Sequence, residues 1–326
     1  MTMTAGVLLL ALLGSEAGAR LALEAEDLVM NPVLAVYRDH PTALFVYRPN
    51  TLIVCPPRIK PQRPSCPDVR TNSLGLRDVE RSLEKPEGVR RILSVGESTA
   101  AGAMVSIEEA YPSRVERGLR DRGEEVEVIN AGIEAYTSWQ IFAWLEAEGM
   151  GFDPDMVLVY VEGNDEQPTG IVSEHQFQYK VEGTDRELYE RRKPLAPALA
   201  VLYRSWAYLW LRKQTLRLPT DLPSARELGP VKAVGEVRVP EEDRAEAFRR
   251  MTQLCEGRCE IVVLQPAYRG RRANSSLRDL AAELGLQYID LMAAYEASGI
   301  EDFFIDGIHP TPEGHRVFAE AILAEL

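Results

Sequence analysis

The sequence predicts an α/β protein built on a doubly wound, five-stranded parallel sheet. Apolar runs of strand length recur after residue 89 without alternating polar positions, and amphipathic stretches of helical length separate them. One interval, between the third and fourth runs, is far too long for a single crossover helix. Strands that are apolar on both faces, with helices between them, indicate a parallel sheet covered on both sides. Right-handed crossovers then place ligand sites at the carboxyl ends of the strands.

The predicted elements follow one another in regular order. The five strands are ILSV (92–95), VEVIN (126–130), MVLVYV (156–161), EIVVLQP (260–266) and QYIDL (287–291). The helices are the amphipathic stretches at 111–123, 137–149, 275–285 and 312–326. This alternation of strands and helices is the pattern of repeated crossover units.

An insertion of about residues 166–250 interrupts this order between strands 3 and 4. It contains LAPALAVLYRSWAYLWLRKQT, in which Tyr203, Trp206 and Trp210 recur at helical spacing on one face. Three interpretations are open for this face: packing on the domain, a lid over the ligand site, or a contact with a membrane surface.

Composition limits the classes of partner. The chain has 326 residues, of which 45% are hydrophobic and 27% charged, enough for one large domain or one domain plus an appendage. Its formal net charge of −13 argues against nucleic acid or an anionic membrane as a partner, because like charges repel. No segment approaches the ~18 apolar residues of a membrane span.

The N-terminus predicts export. An apolar core at 5–14 (AGVLLLALLG) is followed by Ala17-Gly18-Ala19, a small-x-small pattern typical of a cleavage site. We therefore expect residues 1–19 to be a signal peptide or, alternatively, an N-terminal hydrophobic segment, anchored if the true N-terminus is longer. A proline-rich extension (20–88) then precedes the main domain (89–326), and we expect the protein in the periplasm or secreted.

The cysteines agree with an oxidising compartment. The chain has four, in two local pairs, Cys55/Cys66 and Cys255/Cys259. An even number in close pairs is typical of disulfides, although sequence alone leaves three connectivities open. A zinc site is disfavoured by the spacing and by the lack of a nearby histidine, so we expect no metal. Four reduced thiols remain the alternative.

Polar residues able to carry out acyl transfer follow successive strands. Ser98 comes after the first strand, Asn130-Ala131-Gly132 ends the second, Asn164-Asp165 follows the third, and Asp306 and His309 follow the fifth. A serine nucleophile needs a base oriented by a carboxylate, and the oxyanion needs preorganised donors. Each residue alone could be only a helix cap or a turn. Their order at successive strand ends indicates a site.

The four blocks GEST, NAG, EGND and DGIHPTPEG resemble, in order, those of the SGNH hydrolases, the GDSL-type esterases and lipases. The resemblance covers about residues 89–326, and residues 71–78 resemble the entry segment of bacterial extracytoplasmic members. It implies a flavodoxin-like, three-layer α/β/α fold. It further implies Ser98 as nucleophile, His309 as base, Asp306 as its orienter, and the Ser98 N–H, Gly132 N–H and Asn164 side chain as the oxyanion hole.

Three positions depart from the family pattern. Glu97 replaces the usual aspartate, Glu162 stands in place of a glycine, and Ala135 replaces a frequent second glycine. None of these changes removes a catalytic group. We therefore expect an active enzyme, with Glu97 supporting the turn rather than reacting.

The stretch after the base predicts how its loop is held. Thr311 and Pro312 suit the N-cap and first position of the last helix, which would anchor the loop of Asp306 and His309. His315, inside that helix, is expected on the surface.

The expected function is that of a serine esterase acting on a small-molecule or saccharide ester without a cofactor. An O-acyltransferase on the same fold and a non-catalytic binding module are the alternatives. Arg269, Arg271 and Arg272, which follow the fourth strand, form a hypothetical clamp for an anionic substrate. A solvated loop is the alternative for these arginines.

Overall fold

The computed structural model of the protein describes residues 14–21, 36–55, 65–167, 183–205, 207–208, 210–211, 237–270 and 275–326. Within them the strands are β1 (Tyr37–His40), β2 (Leu44–Tyr47), β3 (Leu52–Ile53), β4 (Val69–Arg70), β5 (Arg90–Gly96), β6 (Val126–Gly132), β7 (Met156–Tyr160), β8 (Glu260–Gln265) and β9 (Gln287–Asp290). The helices are α1 (Ser98–Ala101), α2 (Tyr111–Asp121), α3 (Ser138–Ala147), α4 (Asp185–Arg192), α5 (Ala196–Leu202), α6 (Glu241–Cys255), α7 (Ser275–Glu283), α8 (Leu291–Ser298) and α9 (Pro312–Glu325). Residues 14–21 are also helical.

The five predicted strands form one parallel sheet in the order β6-β5-β7-β8-β9. All five residues of β7 are buried. Val157 and Val159 belong to one hydrophobic core, whereas Met156, Leu158 and Tyr160 belong to the other. Because successive side chains of a strand point to opposite faces, the two cores lie on opposite sides of the sheet. The predicted fold class, three layers with a doubly wound sheet, is confirmed.

The proline-rich extension contributes to the first of these cores. It contains two short antiparallel pairs, β1–β2 and β3–β4, where the sequence predicts only an ordered loop region. Phe45 and Tyr47 of β2 are buried in the same core as Trp139 of α3. The Phe45 ring meets the edge of Tyr136, with ring centroids 5.4 Å apart. The apolar run of β2 therefore folds against the main domain.

The end of the insertion supplies the crossover helix between β7 and β8. Helix α6 continues through residue 250, where the insertion is predicted to end, and buries Phe248 and Met251. By contrast, α5 buries none of its residues. Of the predicted aromatic face, Tyr203 is half-buried, Trp210 is 38% exposed, and Trp206 lies outside the described residues. Among the residues described, no helix has the length and apolar character to cross a bilayer.

Both predicted cysteine pairs are disulfide bonds in the structure. Cys55 is joined to Cys66 and Cys255 to Cys259. The first bond links the segment after β3 to the segment before β4. The second joins the end of α6 to the turn that leads into β8.

Removing the first disulfide should destabilise the fold. Replacing both Cys55 and Cys66 with serine is expected to lower the free energy of unfolding by about 2–3 kcal/mol, because the bond closes a loop with a sequence separation of 11. Urea unfolding of both proteins measures the difference. The same replacement at Cys255 and Cys259, which are only 4 apart, should cost less and serves as the comparison. A larger loss at the shorter loop would contradict the loop-length argument.

Candidate active site

Two glycines bring Ser98 to the carboxyl edge of the sheet. A Cβ atom on Gly96 would lie 2.4 Å from the carbonyl oxygen of Tyr160, so the chain can turn out of β5 there only without a side chain. A Cβ atom on Gly132 would lie 2.2 Å from the amide nitrogen of Ala101, so β6 and α1 can approach closely. Ser98 is the first residue of α1 and is half-buried.

The structure brings Ser98, His309 and Asp306 together in one hydrogen-bonded chain. His309 Nε2 lies 2.8 Å from Ser98 Oγ, and His309 Nδ1 lies 2.8 Å from Asp306 Oδ2. Asp306 Oδ1 accepts the backbone N–H groups of Ile308 (3.2 Å) and His309 (3.0 Å). Burial alone would raise the pKa of Asp306, but the hydrogen bonds and charge of His309 and these amides lower it to about 2. The carboxylate therefore stays ionised at neutral pH.

The loop of His309 is anchored as the sequence predicts. The Thr311 hydroxyl accepts the Gly314 N–H at 3.2 Å, and Pro312 opens α9. The amide of Ile305 donates to the carbonyl of His309, which closes the loop on itself. The loop thus holds Asp306 and His309 on one side of a short turn.

Asn164 lies in the loop after β7 and is held at two points. Its backbone N–H donates to Glu97 Oε2 at 3.2 Å, and its side-chain Nδ2 donates to the carbonyl of Tyr136 at 3.1 Å. An amide nitrogen carries two hydrogens. One therefore remains for a ligand, as an oxyanion donor would need.

The amide of Gly132 already has an acceptor. It donates to Asn130 Oδ1 at 3.1 Å, and Gly132 is buried. The next amides also have internal acceptors: Ile133 donates to Gly96 O, Glu134 to Tyr47 Oη and Tyr136 to Ile133 O. Within the described part of the chain, Ala135 is the residue of this loop whose N–H has no acceptor.

Ala135 is also conformationally distinct. It has a φ of 65°, which is unusual for a residue with a side chain, and it is half-buried. Arg238, at the end of the insertion, fixes its peptide by donating to its carbonyl at 2.9 Å. The sequence predicts Gly132, not Ala135, as the donor from this loop. The sequence does contain a sign of this unusual backbone conformation. Alanine here stands where the family pattern has a glycine, the residue that adopts such a φ without strain.

Glu97 connects the turn of Ser98 to two further loops. It is 4% exposed, and its Oε1 accepts the hydroxyl of Tyr268 at 2.7 Å. The same hydroxyl accepts the Gly163 N–H at 3.1 Å. Burial raises the pKa of Glu97 to about 7; the hydrogen bond from Tyr268 opposes this shift and the charge of Asp165 adds to it. Glu97 thus links the loop of Asn164 to the loop after β8.

This buried carboxyl makes the stability depend on pH in a defined direction. Its pKa rises from the ordinary 4.5 to about 7 on folding, so the contribution of Glu97 to stability is fully present below pH 4.5 and is lost as the pH rises to about 7. Glu97→Gln should remove about 3–4 kcal/mol of that decline, at about 1.4 kcal/mol per unit of pKa. Urea unfolding at several pH values checks this. Tyr268→Phe, which removes the opposing hydrogen bond, should extend the decline to higher pH. If the free energy of unfolding changed with pH in the same way in the wild type and in Glu97→Gln, Glu97 would not be the cause of the decline.

The predicted arginine clamp is only partly described. Arg269 is exposed, donates its amide to the carbonyl of Gly307 at 2.9 Å, and places its guanidinium 3.3 Å from the carbonyl of Glu301. Arg271 and Arg272 lie outside the described residues. The clamp therefore stays a prediction, although Arg269 does contact the loop that carries Asp306.

The expectation for His315 is wrong. The residue is fully buried, and its Nδ1 accepts the Tyr111 N–H at 3.2 Å. Its ring also stacks on Tyr111, and burial lowers its pKa to about 3. The reason is geometric: His315 lies on the side of α9 that packs against the start of α2.

Known proteins resemble this chain in sequence and fold. An arylesterase from Vibrio mimicus is 33% identical over 75 residues, a stretch that covers 23% of this chain and 38% of that protein. An acetylxylan esterase from Geobacillus stearothermophilus matches with a TM-score of 0.44 at 17% identity, covering 72% of this chain and 93% of that one. A lipase/acylhydrolase from Enterococcus faecalis matches with a TM-score of 0.44 at 18% identity, covering 72% and 94%.

The family of this chain is shown by its match to a family model. The model of the GDSL-like lipase/acylhydrolase family matches residues 94–317, well over half of the chain. This range includes the turn of Ser98, the loop of Asn164 and the loop of His309. The chain therefore belongs to the GDSL-like lipase/acylhydrolase family, within the SGNH hydrolase superfamily.

Proposed function

We propose that the protein is a serine esterase that hydrolyses a carboxylic ester through an acyl-enzyme on Ser98. The observation that carries the proposal is the chain from Ser98 Oγ through His309 to Asp306, with 2.8 Å at each contact. Both distances are within hydrogen-bond reach, which is what proton transfer from a serine nucleophile needs.

In the first half of the reaction, Ser98 Oγ attacks the carbonyl carbon of the ester as its proton passes to His309 Nε2. The ionised Asp306 stabilises the resulting imidazolium through Nδ1. The tetrahedral intermediate collapses when His309 gives that proton to the leaving alcohol, which leaves the acyl group on Ser98. Water then attacks in the same way and releases the carboxylic acid.

The oxyanion of this intermediate needs donors fixed in advance. We assign this role to the Ser98 N–H, at the first position of α1, and to the Asn164 side chain. The third predicted donor, the Gly132 N–H, has an internal acceptor in Asn130. We therefore add the Ala135 N–H, which has none in the described chain, as the donor from this loop. Gly132 then acts by letting α1 approach β6.

Removing the Asn164 side chain tests the oxyanion assignment. Asn164→Ala is expected to lower kcat by about 10²–10³-fold with little change in KM, because the donor acts mainly on charge that develops in the transition state. Gln167→Ala, an exposed amide in the same loop, is the matched control and should keep wild-type kinetics. A raised KM with unchanged kcat would mean that Asn164 binds substrate instead.

The acyl acceptor separates hydrolysis from transfer. In the proposed function water takes the acyl group; in an O-acyltransferase a saccharide hydroxyl would take it. Purified protein should release p-nitrophenol from p-nitrophenyl acetate, and mass spectrometry should find free acetate but no acetylated sugar when oligosaccharides are added. Transfer of the acetyl group to the sugar would favour the acyltransferase. If p-nitrophenol were released neither from p-nitrophenyl acetate nor from p-nitrophenyl esters of longer acyl chains, both functions would be refuted.

We further propose an extracytoplasmic location. Both disulfides support it, since such bonds persist in oxidising compartments. The substrate proposed on this basis is a small-molecule or saccharide ester that is present outside the cytoplasm.

A further inference from the structure

The insertion exposes a concentrated apolar surface, here called the insertion face. It consists of Leu195, Val201, Leu202, Trp210 and Leu211, whose exposed fractions are 56, 68, 40, 38 and 56%. Helix α5, between Leu195 and Trp210, buries none of its residues. Isolated exposed apolar residues are ordinary, but a contiguous group marks a surface that contacts something apolar.

The segment that carries this face has charged residues of one sign, whereas Asp39 and Glu148 of other elements line the cleft beside it. Residues 191–205 include Arg191, Arg192, Lys193 and Arg204 and no acidic residue, in a chain whose net charge is −13. Lys193 pairs with Glu146 of α3, while the side chain of Arg204 is exposed. Leucine, valine and tryptophan bordered by arginine and lysine are typical of segments that lie in the interface of a bilayer, and the cations favour anionic lipid.

The N-terminal helix at 14–21 extends the same surface. Glu16 accepts the Ser205 hydroxyl at 3.0 Å and the Ala207 N–H at 3.2 Å, which ties this helix to the insertion. Leu21, at its end, is 68% exposed. In the sequence this helix follows directly on the apolar run at 5–13.

We propose that the insertion face docks on the surface of a phospholipid bilayer that contains anionic lipid. The contact is peripheral: the apolar side chains enter the headgroup boundary and the arginines remain at its level. The net charge of the chain argued against an anionic membrane as a partner. That charge sums all residues, whereas the attraction of a surface to lipid depends on the charges within about 10 Å of that surface. The proposal is independent of the esterase assignment.

A fluorescent label at the face tests this directly. All four native cysteines are in disulfides, so Val201→Cys offers a single thiol for an environment-sensitive NBD dye on the full chain. Vesicles of phosphatidylcholine with phosphatidylglycerol should shift its emission to shorter wavelength, and added salt should reverse the shift. The matched control is Ala324→Cys, an exposed alanine in α9 on the opposite side of the sheet, where the emission should not change.

A second arm measures binding itself. Val201→Ser with Leu202→Ser should weaken partition into the same vesicles by about 10-fold, because two partly exposed side chains lose apolar contact. Activity on a soluble ester, which should not change, verifies that the variant is folded.

Three results would overturn the proposal. The first is an unchanged label at Val201 when vesicles bind, which would assign binding to the N-terminus alone. The second is an equal response at Ala324. The third is a shift without lipid that follows protein concentration, which would identify a second copy of the chain as the occupant.

Discussion

Replacing Ser98 with alanine is expected to lower kcat for ester hydrolysis by about 10⁵–10⁶-fold, while the fold remains intact. Ser98 Oγ is the group that forms the proposed acyl bond, and its base His309 is 2.8 Å away. Because the two act as a unit, His309→Ala should cost about as much, and the double variant should lose little more than either single one. Steady-state and single-turnover kinetics on p-nitrophenyl acetate measure these losses.

Covalent labelling provides an independent check of the nucleophile. A fluorophosphonate probe should react with the wild type and with Ser82→Ala, in which an exposed serine before β5 is changed. It should not react with Ser98→Ala. Labelling that persists in Ser98→Ala would refute the assignment, and a lowered melting temperature would show that the variant had lost its fold rather than its nucleophile.

Replacing Asp306 with asparagine should lower kcat by about 10³–10⁴-fold with a smaller change in KM. Asp306 Oδ2 accepts the proton on His309 Nδ1, and this leaves Nε2 free to accept from Ser98. An asparagine amide can donate to Nδ1 instead, which would place the ring proton on Nε2, where it blocks proton transfer. The loss therefore arises from the wrong tautomer.

A matched carboxylate controls for simple loss of charge. Asp302→Asn, an exposed aspartate shortly before Asp306, should leave kcat unchanged. The measurement is kcat for both variants, with melting temperatures to show that each is folded. If Asp306→Asn retained more than about a tenth of the wild-type kcat, its carboxylate would be only a loop anchor through the amides of Ile308 and His309.

Much of the fold could be predicted because parallel strands leave a local signal. Every residue of β7 is apolar and buried, since helices cover both faces of the sheet, and no distant contact is needed to see this. The hairpin of β1 and β2 was not predicted. Its strands have only 4 residues each, and they are stable because Phe45 and Tyr47 reach the core around Trp139.

The site also has a part that the sequence predicts and a part that it does not. The predicted part is the position of Ser98, Asn164, Asp306 and His309, which follow strands or open a turn and therefore lie at one edge of the sheet. Which backbone amides can act as oxyanion donors does not follow from chain order. Whether an amide is free depends on what lies beside it, and Asn130 takes the N–H of Gly132 while that of Ala135 has no acceptor in the described chain. The burial of His315 likewise leaves no local signal in the sequence, because it results from packing against Tyr111.

The sequence by itself determined the parallel α/β class, the two local cysteine pairs as the favoured disulfides, and the residues of the proposed triad, because each depends on local pattern, short spacing or a motif. The tertiary structure alone decided the contact of Glu97 with Tyr268, which are 171 residues apart. The burial of Glu97 beside this tyrosine is what makes the stability depend on pH. It also decided that helix α5, although apolar, buries none of its residues. The physical reason is that burial, desolvation and hydrogen-bond saturation are properties of neighbours in space. Composition and periodicity describe only neighbours along the chain.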